Sequence, residues 1–101
     1  MIKIYDKAEW QIDNGVEKQL VIDHFINIFE WLDEKNYLSE DGEEMLDDGI
    51  DSSISLNEDM VKKDILDFLD KYYDKIIKES NYDLAIEKNL LDKYYNEYKC
   101  Q

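Results

Sequence analysis

Residues 56–79 read LNEDMVKKDILDFLDKYYDKIIKE, and the periodicity of this stretch decides the fold class. Its apolar and aromatic side chains recur every three or four residues and fall on one half of a helical wheel, while Asp and Lys occupy the other half. Ser55-Leu56-Asn57-Glu58 matches a capping box, in which the Ser and Glu side chains satisfy free backbone N–H groups at the start of a helix. The stretch therefore predicts a long amphipathic helix that begins near residue 56. Its predicted buried half comprises Val61, Ile65, Leu66, Phe68, Leu69, Tyr72, Tyr73, Ile76 and Ile77.

Other helices are predicted on both sides of this one. A broad apolar arc in residues 16–36 is typical of a central helix that several neighbours touch. Residues 81–98 predict a last helix, which would pack against 56–79 as a hairpin. In the middle of the chain a short helix is predicted, with Ser39 as its N-cap and Gly49 as its stop.

The N-terminal segment is ambiguous in sequence. Alternating apolar residues in 2–12 favour a strand, whereas Asp6-Lys7-Ala8-Glu9 also resembles a capping box. We expect an extended arm or a short helix whose Trp10 and Ile12 pack onto the body. The prediction for residues 1–101 is a single all-α domain, a three- to four-helix bundle with this arm or short helix at its N-terminus.

The charge balance argues against several function classes. The 101 residues include 26 Asp and Glu against 12 Lys and no Arg, which gives a net charge of -14. A nucleic-acid binder must neutralise phosphates with cationic side chains, and an anionic membrane repels an acidic protein, so neither is expected as a direct partner. No run approaches the ~18 apolar residues that span a bilayer, and no signal peptide is expected. Because the single cysteine, Cys100, has no internal partner, we expect a cytoplasmic protein.

The negative charge is concentrated in the middle of the chain. Residues 36–61 contain nine Asp and Glu and no Lys, whereas residues 62–101 contain nine acidic residues and eight Lys. Three interpretations stay open for the middle segment: a solvated surface that maintains solubility, a docking surface for a basic protein, and a mimic of nucleic acid. We call its central carboxylates the acidic face and predict that they bind the partner: Glu40, Asp41, Glu43, Glu44, Asp47, Asp48 and Asp51.

No pattern in the sequence indicates catalysis, a metal site or a cofactor. The three glycines are far apart and form no phosphate loop, and no Ser lies in a nucleophile elbow. A calcium loop that ends at Glu58 would place Gly49 where a carboxylate or amide ligand is needed, so no calcium site is expected. His24 lies on a mostly apolar helix face, which is typical of a packed, hydrogen-bonded core residue. We therefore expect a protein that is not an enzyme.

Two motifs in the first half of the chain resemble those of a known group of proteins. They are Asp-Lys-Ala-x-Trp at residues 6–10 and His-Phe-x-x-x-Phe-x-Trp-Leu at residues 24–32. Over residues 5–60 the chain is similar to small acidic bacterial proteins, some of them taken to be immunity proteins of polymorphic or contact-dependent toxin systems. The resemblance implies tight, non-catalytic inhibition of a cognate toxin. Gln11 stands where the family pattern has His, so a two-histidine site is not expected.

The leading hypothesis from the sequence is a cytoplasmic immunity protein. Its acidic face would block a basic surface of the toxin, such as the active site of a nuclease. The main alternative is a nucleic-acid mimic that inhibits a DNA-binding protein or an RNA-guided nuclease. A non-enzymatic structural or interaction module is the third hypothesis.

Overall fold

The structure, a computed structural model, describes residues 2–100 of the chain. Helices dominate it, as the periodicity predicts, and one two-stranded antiparallel sheet is present among these residues. In chain order the elements are β1 (Ile4–Lys7), α1 (Ala8–Asp13), α2 (Lys18–Glu34), α3 (Glu40–Asp48), β2 (Ser55–Asn57), a 3₁₀ turn (Lys63–Ile65), α4 (Leu66–Ser80) and α5 (Leu84–Lys99).

Helices α2, α4 and α5 form a three-helix bundle around a core rich in aromatic rings. Trp31 of α2 stacks on Phe68 of α4, with ring centroids 5.7 Å apart, and Phe68 meets Tyr95 of α5 at 5.7 Å. Tyr72 of α4 stacks on Tyr94 of α5 at 5.2 Å. The helices α4 and α5 are thus the packed hairpin that the sequence predicts. Aromatic pairs of this kind stabilise the fold beyond the gain from removing the rings from water.

The helix predicted from residue 56 is wrong at its beginning, because α4 starts at Leu66. Residues 55–57 form β2, which pairs with β1. The predicted capping box does not form; instead the Asn57 side-chain oxygen accepts the backbone N–H of Asp59 at 2.9 Å and turns the chain. Further along, Leu38 and Val61 form an antiparallel bridge. Backbone pairing with two distant segments therefore overrides the local helical pattern of residues 56–65.

The N-terminal segment contains both of its predicted structures, one after the other. Strand β1 lies along β2, and α1 begins at the next residue, Ala8. Ala8 is fully buried, and its backbone N–H donates to the Ile54 carbonyl at 3.1 Å. The packing predicted for Trp10 is wrong, since Trp10 is 47% exposed, whereas Ile12 is half-buried against the core. Helix α1 therefore contacts the body through Ala8, its one buried residue, and through Ile12.

Helix α3 is attached at its N-terminal end to residues 57–61. Ser39 caps it, as predicted: its Oγ accepts the Gly42 backbone N–H at 3.1 Å and donates to the Asp59 carbonyl at 2.5 Å. Gly42 is buried, and a Cβ at this position would lie 2.1 Å from the Met60 carbonyl oxygen. Only glycine permits so close an approach. Gly49 ends the helix, as predicted, with a φ of 101° that favours glycine.

Candidate partner-binding site

The acidic face is exposed along its whole length. Six of its seven carboxylates lie on α3, and Asp51 lies in the loop that leads to β2. All seven side chains are exposed, while Gly42 is buried and Met45 and Leu46 are half-buried on the side that faces the body. The fold therefore presents every carboxylate of the predicted site on one short helix and its adjoining loop.

The carboxylates of α3 repel one another along the helix, while Glu40, Asp41 and Glu43 in its first turn gain from the positive end of the helix dipole. Glu40 and Glu44 stand four residues apart, as do Glu43 and Asp47, and Glu44 and Asp48. Like charges at this spacing destabilise a helix by roughly 0.2–0.5 kcal/mol per pair. Asp47 and Asp48 also lie at the negative end of the helix dipole, in a last turn without a basic residue. Departures from a local rule of stability are expected where function requires them.

The carboxylates of the acidic face have no cationic partner among residues 2–100. No lysine amino group of this part of the chain lies within 4.0 Å of any of them. Asp51 is instead held by Ser53, whose backbone N–H and hydroxyl donate to its Oδ1 at 2.8 and 2.5 Å. These hydrogen bonds, with a smaller coulombic contribution from Lys18, hold the pKa of Asp51 below its ordinary value. Asp51 is therefore anionic at neutral pH and fixed in orientation.

A pocket of about 320 Å³ adjoins Ser52, the residue after Asp51. Its lining residues are Glu9, Ile12, Asp13, Lys18 and Ser52. Glu9 and Asp13 are exposed carboxylates one turn apart on α1, and the sequence interpretation did not include them in the acidic face. Glu9 and Asp13 lie far from residues 40–51 in the sequence. Only the fold, which places α1 beside the loop after α3, brings these two carboxylates to the same pocket as Ser52.

A second group of polar residues lies in the interior, where α2, α4, α5 and β1 meet. His24 of α2 is 1% exposed; its Nδ1 contacts Oε1 of Glu87, and its Nε2 lies 3.0 Å from the Tyr73 hydroxyl. The Tyr73 hydroxyl donates to Asp6 Oδ2 at 2.8 Å, and Asn27 donates to Glu87 Oε2 at 3.1 Å. The hydrogen-bonded core role predicted for His24 is confirmed. Sequence reasoning missed the burial of Asp6 and Glu87, because single acidic residues give no signal of it.

The hydroxyl of Tyr73 links the two halves of this network. Because Tyr73 donates to Asp6, its oxygen accepts the Nε2–H of His24, and Nδ1 on the other side of the imidazole ring contacts Glu87 Oε1. Burial first, and then the charge and hydrogen bond of Asp6, raise the pKa of Tyr73 well above its ordinary value, so the phenol keeps its proton. Buried polar groups that satisfy one another rigidify a core. The network therefore ties four elements of the fold together.

Residues 2–100 contain neither a metal-binding cluster nor a membrane-spanning helix. No group of three or more His, Cys, Asp or Glu side chains in this range is placed to hold a metal ion. None of its helices is both long and apolar enough to cross a membrane.

No protein-family model, no curated protein and no solved structure matches this chain. The similarity of residues 5–60 to immunity proteins thus stays a prediction.

Proposed function

We propose that this protein is a cytoplasmic, non-catalytic inhibitor of the immunity type, which binds a basic cognate toxin through its acidic face. A nuclease is the favoured class of toxin, because a surface that binds phosphates must be cationic. One observation carries the proposal: the seven carboxylates on α3 and the adjoining loop are exposed and have no lysine within ion-pair distance among residues 2–100.

The attachment of α3 supports a role in docking. The Ser39 cap and the close approach at Gly42 hold the helix against residues 57–61, so its charges occupy defined positions before a partner arrives. A preorganised surface loses less conformational entropy on binding than a mobile one. Solubility alone does not require that charges be held in place. The contacts that fix α3 therefore favour a docking surface over a merely solvated one.

A cationic partner would relieve the repulsion within α3. The effect would be greatest at Asp47 and Asp48, because each stands four residues after another carboxylate and lies at the negative end of the helix dipole. Complementary charge also accelerates diffusional encounter, by about 10- to 1,000-fold at low salt. Fast association suits an inhibitor that must capture a toxin before the toxin reaches its substrate.

The test compares two variants that lose the same number of negative charges. The first neutralises the acidic face through Glu40→Gln, Glu43→Gln, Glu44→Gln and Asp47→Asn. The control neutralises four exposed carboxylates elsewhere, through Glu30→Gln, Asp33→Asn, Glu34→Gln and Glu97→Gln. Association and dissociation rates are measured against the toxin encoded beside this protein's gene, at low and at physiological salt.

We expect the acidic-face variant to associate about tenfold more slowly or worse at low salt, with a much smaller change in the control. Equal binding by the wild type and both variants would contradict docking through the acidic face. Displacement of an unrelated DNA-binding protein from DNA by the wild type would instead favour the nucleic-acid mimic.

A further inference from the structure

The acidic face attracts basic proteins in general and does not by itself select one of them. Charge complementarity mainly accelerates diffusional encounter, and salt screens it. Selection and slow dissociation depend instead on a few large side chains, most often Trp, Tyr and Arg, that become buried near the centre of an interface. A docking surface for one cognate partner therefore needs an apolar anchor beside its carboxylates.

Trp10 is the exposed side chain that fits this description. The large apolar residues that are exposed among residues 2–100 are Ile2, Trp10, Leu20 and Ile86, and Trp10 is the one aromatic residue of these four. Lys7 Nζ lies over its ring, 5.8 Å from the centroid, yet 47% of Trp10 remains exposed. Tryptophan is among the residues that contribute most to the energy of an interface, because its ring buries a large area.

The position of Trp10 on α1 joins it to the end of the acidic face. The pocket of about 320 Å³ that adjoins Ser52 is also lined by Glu9, Ile12 and Asp13 of α1. Trp10 stands three residues before Asp13 and therefore lies next to it on the helix surface. The two carboxylates outnumber the one lysine of this pocket, so the surface of α1 favours the same basic partner as the acidic face does.

Helix α1 is held in place, and Trp10 is therefore presented in a defined position. Ala8 is the fully buried residue of this helix. Gln11 fastens the next turn, since its Nε2 donates to Asp6 Oδ1 at 2.9 Å and its Oε1 accepts the Tyr82 hydroxyl at 2.6 Å. A tryptophan on a fixed helix has only two side-chain torsions to lose on binding, so its contact with a partner costs little conformational entropy.

We infer that Trp10 is the apolar anchor by which this protein holds its basic partner, and that the docking surface extends from the acidic face across the pocket onto α1. The inference rests on the proposed function, because it takes the partner to be the same basic toxin. The carboxylates then set the rate of association, and burial of Trp10 sets the rate of dissociation. The two contributions can be separated, since a change at Trp10 leaves every charge in place.

The first test compares Trp10→Ala with Ile86→Ala, which removes an apolar side chain of similar exposure, 46%, from α5. Association and dissociation rates are measured against the toxin encoded beside this protein's gene, and circular dichroism verifies that both variants are folded. We expect Trp10→Ala to dissociate about 30-fold faster or more, the loss that defines a hot spot, and to associate within about twofold of the wild type. Ile86→Ala should keep both rates within about twofold.

The second test follows Trp10 in the protein with its own sequence. Both tryptophans are labelled as 5-fluorotryptophan, and Trp10→Phe assigns the two ¹⁹F signals. Trp31 is 3% exposed and serves as the internal control. A saturating amount of unlabelled toxin should shift the Trp10 signal and abolish its difference between H₂O and D₂O, because the ring loses contact with solvent, whereas the Trp31 signal should not change.

Two outcomes would overturn the inference: a Trp10 signal that keeps its solvent difference in the complex, and a Trp10→Ala protein that dissociates no faster than Ile86→Ala. The proposed function survives both if the acidic-face variant still associates more slowly. An acidic-face variant that associates at full rate, while the toxin buries Trp10, would instead refute docking through the carboxylates and leave the Trp10 contact standing. A toxin that does not bind the wild type refutes both.

Discussion

Replacement of Gly42 by alanine tests how α3, and with it the acidic face, is attached to the body. A Cβ at position 42 would lie 2.1 Å from the Met60 carbonyl oxygen and 3.0 Å from Leu38 Cδ2. Non-bonded carbon and oxygen atoms keep a separation of about 3.3–3.6 Å, so α3 has to move away by roughly 1 Å or more. That movement would strain the Gly42 N–H bond to Ser39 Oγ and the Ser39 N–H bond to Met60 O.

Two opposing effects decide the sign of the change in stability. In an exposed helix interior, Gly→Ala stabilises by about 1 kcal/mol because alanine restricts the unfolded chain and favours the helix. At Gly42, overpacking costs about 1–3 kcal/mol and the weakened cap costs about 1 kcal/mol more. The balance predicts that Gly42→Ala lowers the free energy of unfolding by roughly 1–3 kcal/mol.

Urea unfolding followed by far-ultraviolet circular dichroism measures this free energy, and an unchanged slope with urea would show that the surface exposed on unfolding is the same. Ser39→Ala provides the companion variant, with an expected loss of about 1 kcal/mol. Because both residues act at one attachment point, the double variant should lose less than the sum of the two. A Gly42→Ala protein that is as stable as the wild type, or about 1 kcal/mol more stable, would refute the close approach of α3 to residue 60.

Three further predictions concern the buried network and the charges. Glu87→Ala leaves the His24 imidazole buried without its partner and should cost about 3–5 kcal/mol in urea unfolding, whereas Glu87→Gln, which keeps the shape, should cost clearly less; equal losses would contradict the pairing. Burial raises the pKa of Tyr82 to about 12, so the phenolate absorbance lost in Tyr82→Phe should titrate near pH 12 and not near 10. Between pH 10 and pH 12 the unfolded chain has released the Tyr82 proton, whereas the native protein retains it. The free energy of unfolding therefore declines as the pH rises from 10 to 12. Asp47→Asn with Asp48→Asn should raise the free energy of unfolding at low salt by about 0.3–1 kcal/mol, with a smaller gain at high salt, and a loss of stability would show that these charges are compensated.

The long helices could be predicted because their periodicity is itself the reason they form. An apolar half such as that of α4 can be buried only if the chain is helical, and the charged half then lies in water. The strand at residues 55–57 could not be predicted in this way. Its sequence satisfies a local rule for starting a helix, and its pairing partner, β1, lies some fifty residues earlier in the chain.

The acidic face could be anticipated for a similar reason. Seven carboxylates within twelve residues cannot all be buried, because a charge removed from water without a partner is too costly. Glu87, in contrast, is buried, because His24 and Asn27 of another helix contact its carboxylate. Partners of that kind are invisible in the local sequence, and so was the burial of this residue.

The sequence by itself determined the helical class, the position of the acidic face and its exposure, because each depends on properties that repeat or accumulate locally: periodic apolarity and charge density. The tertiary structure alone decided which single charges are buried or paired. The Lys3–Asp70 ion pair and the link from Asp6 through Tyr73 join residues 67 positions apart. Such contacts form only when packing of the bundle brings β1 against α4. Ordering two side chains that are distant in the sequence costs conformational entropy, and burial of the surrounding surfaces has to offset that cost.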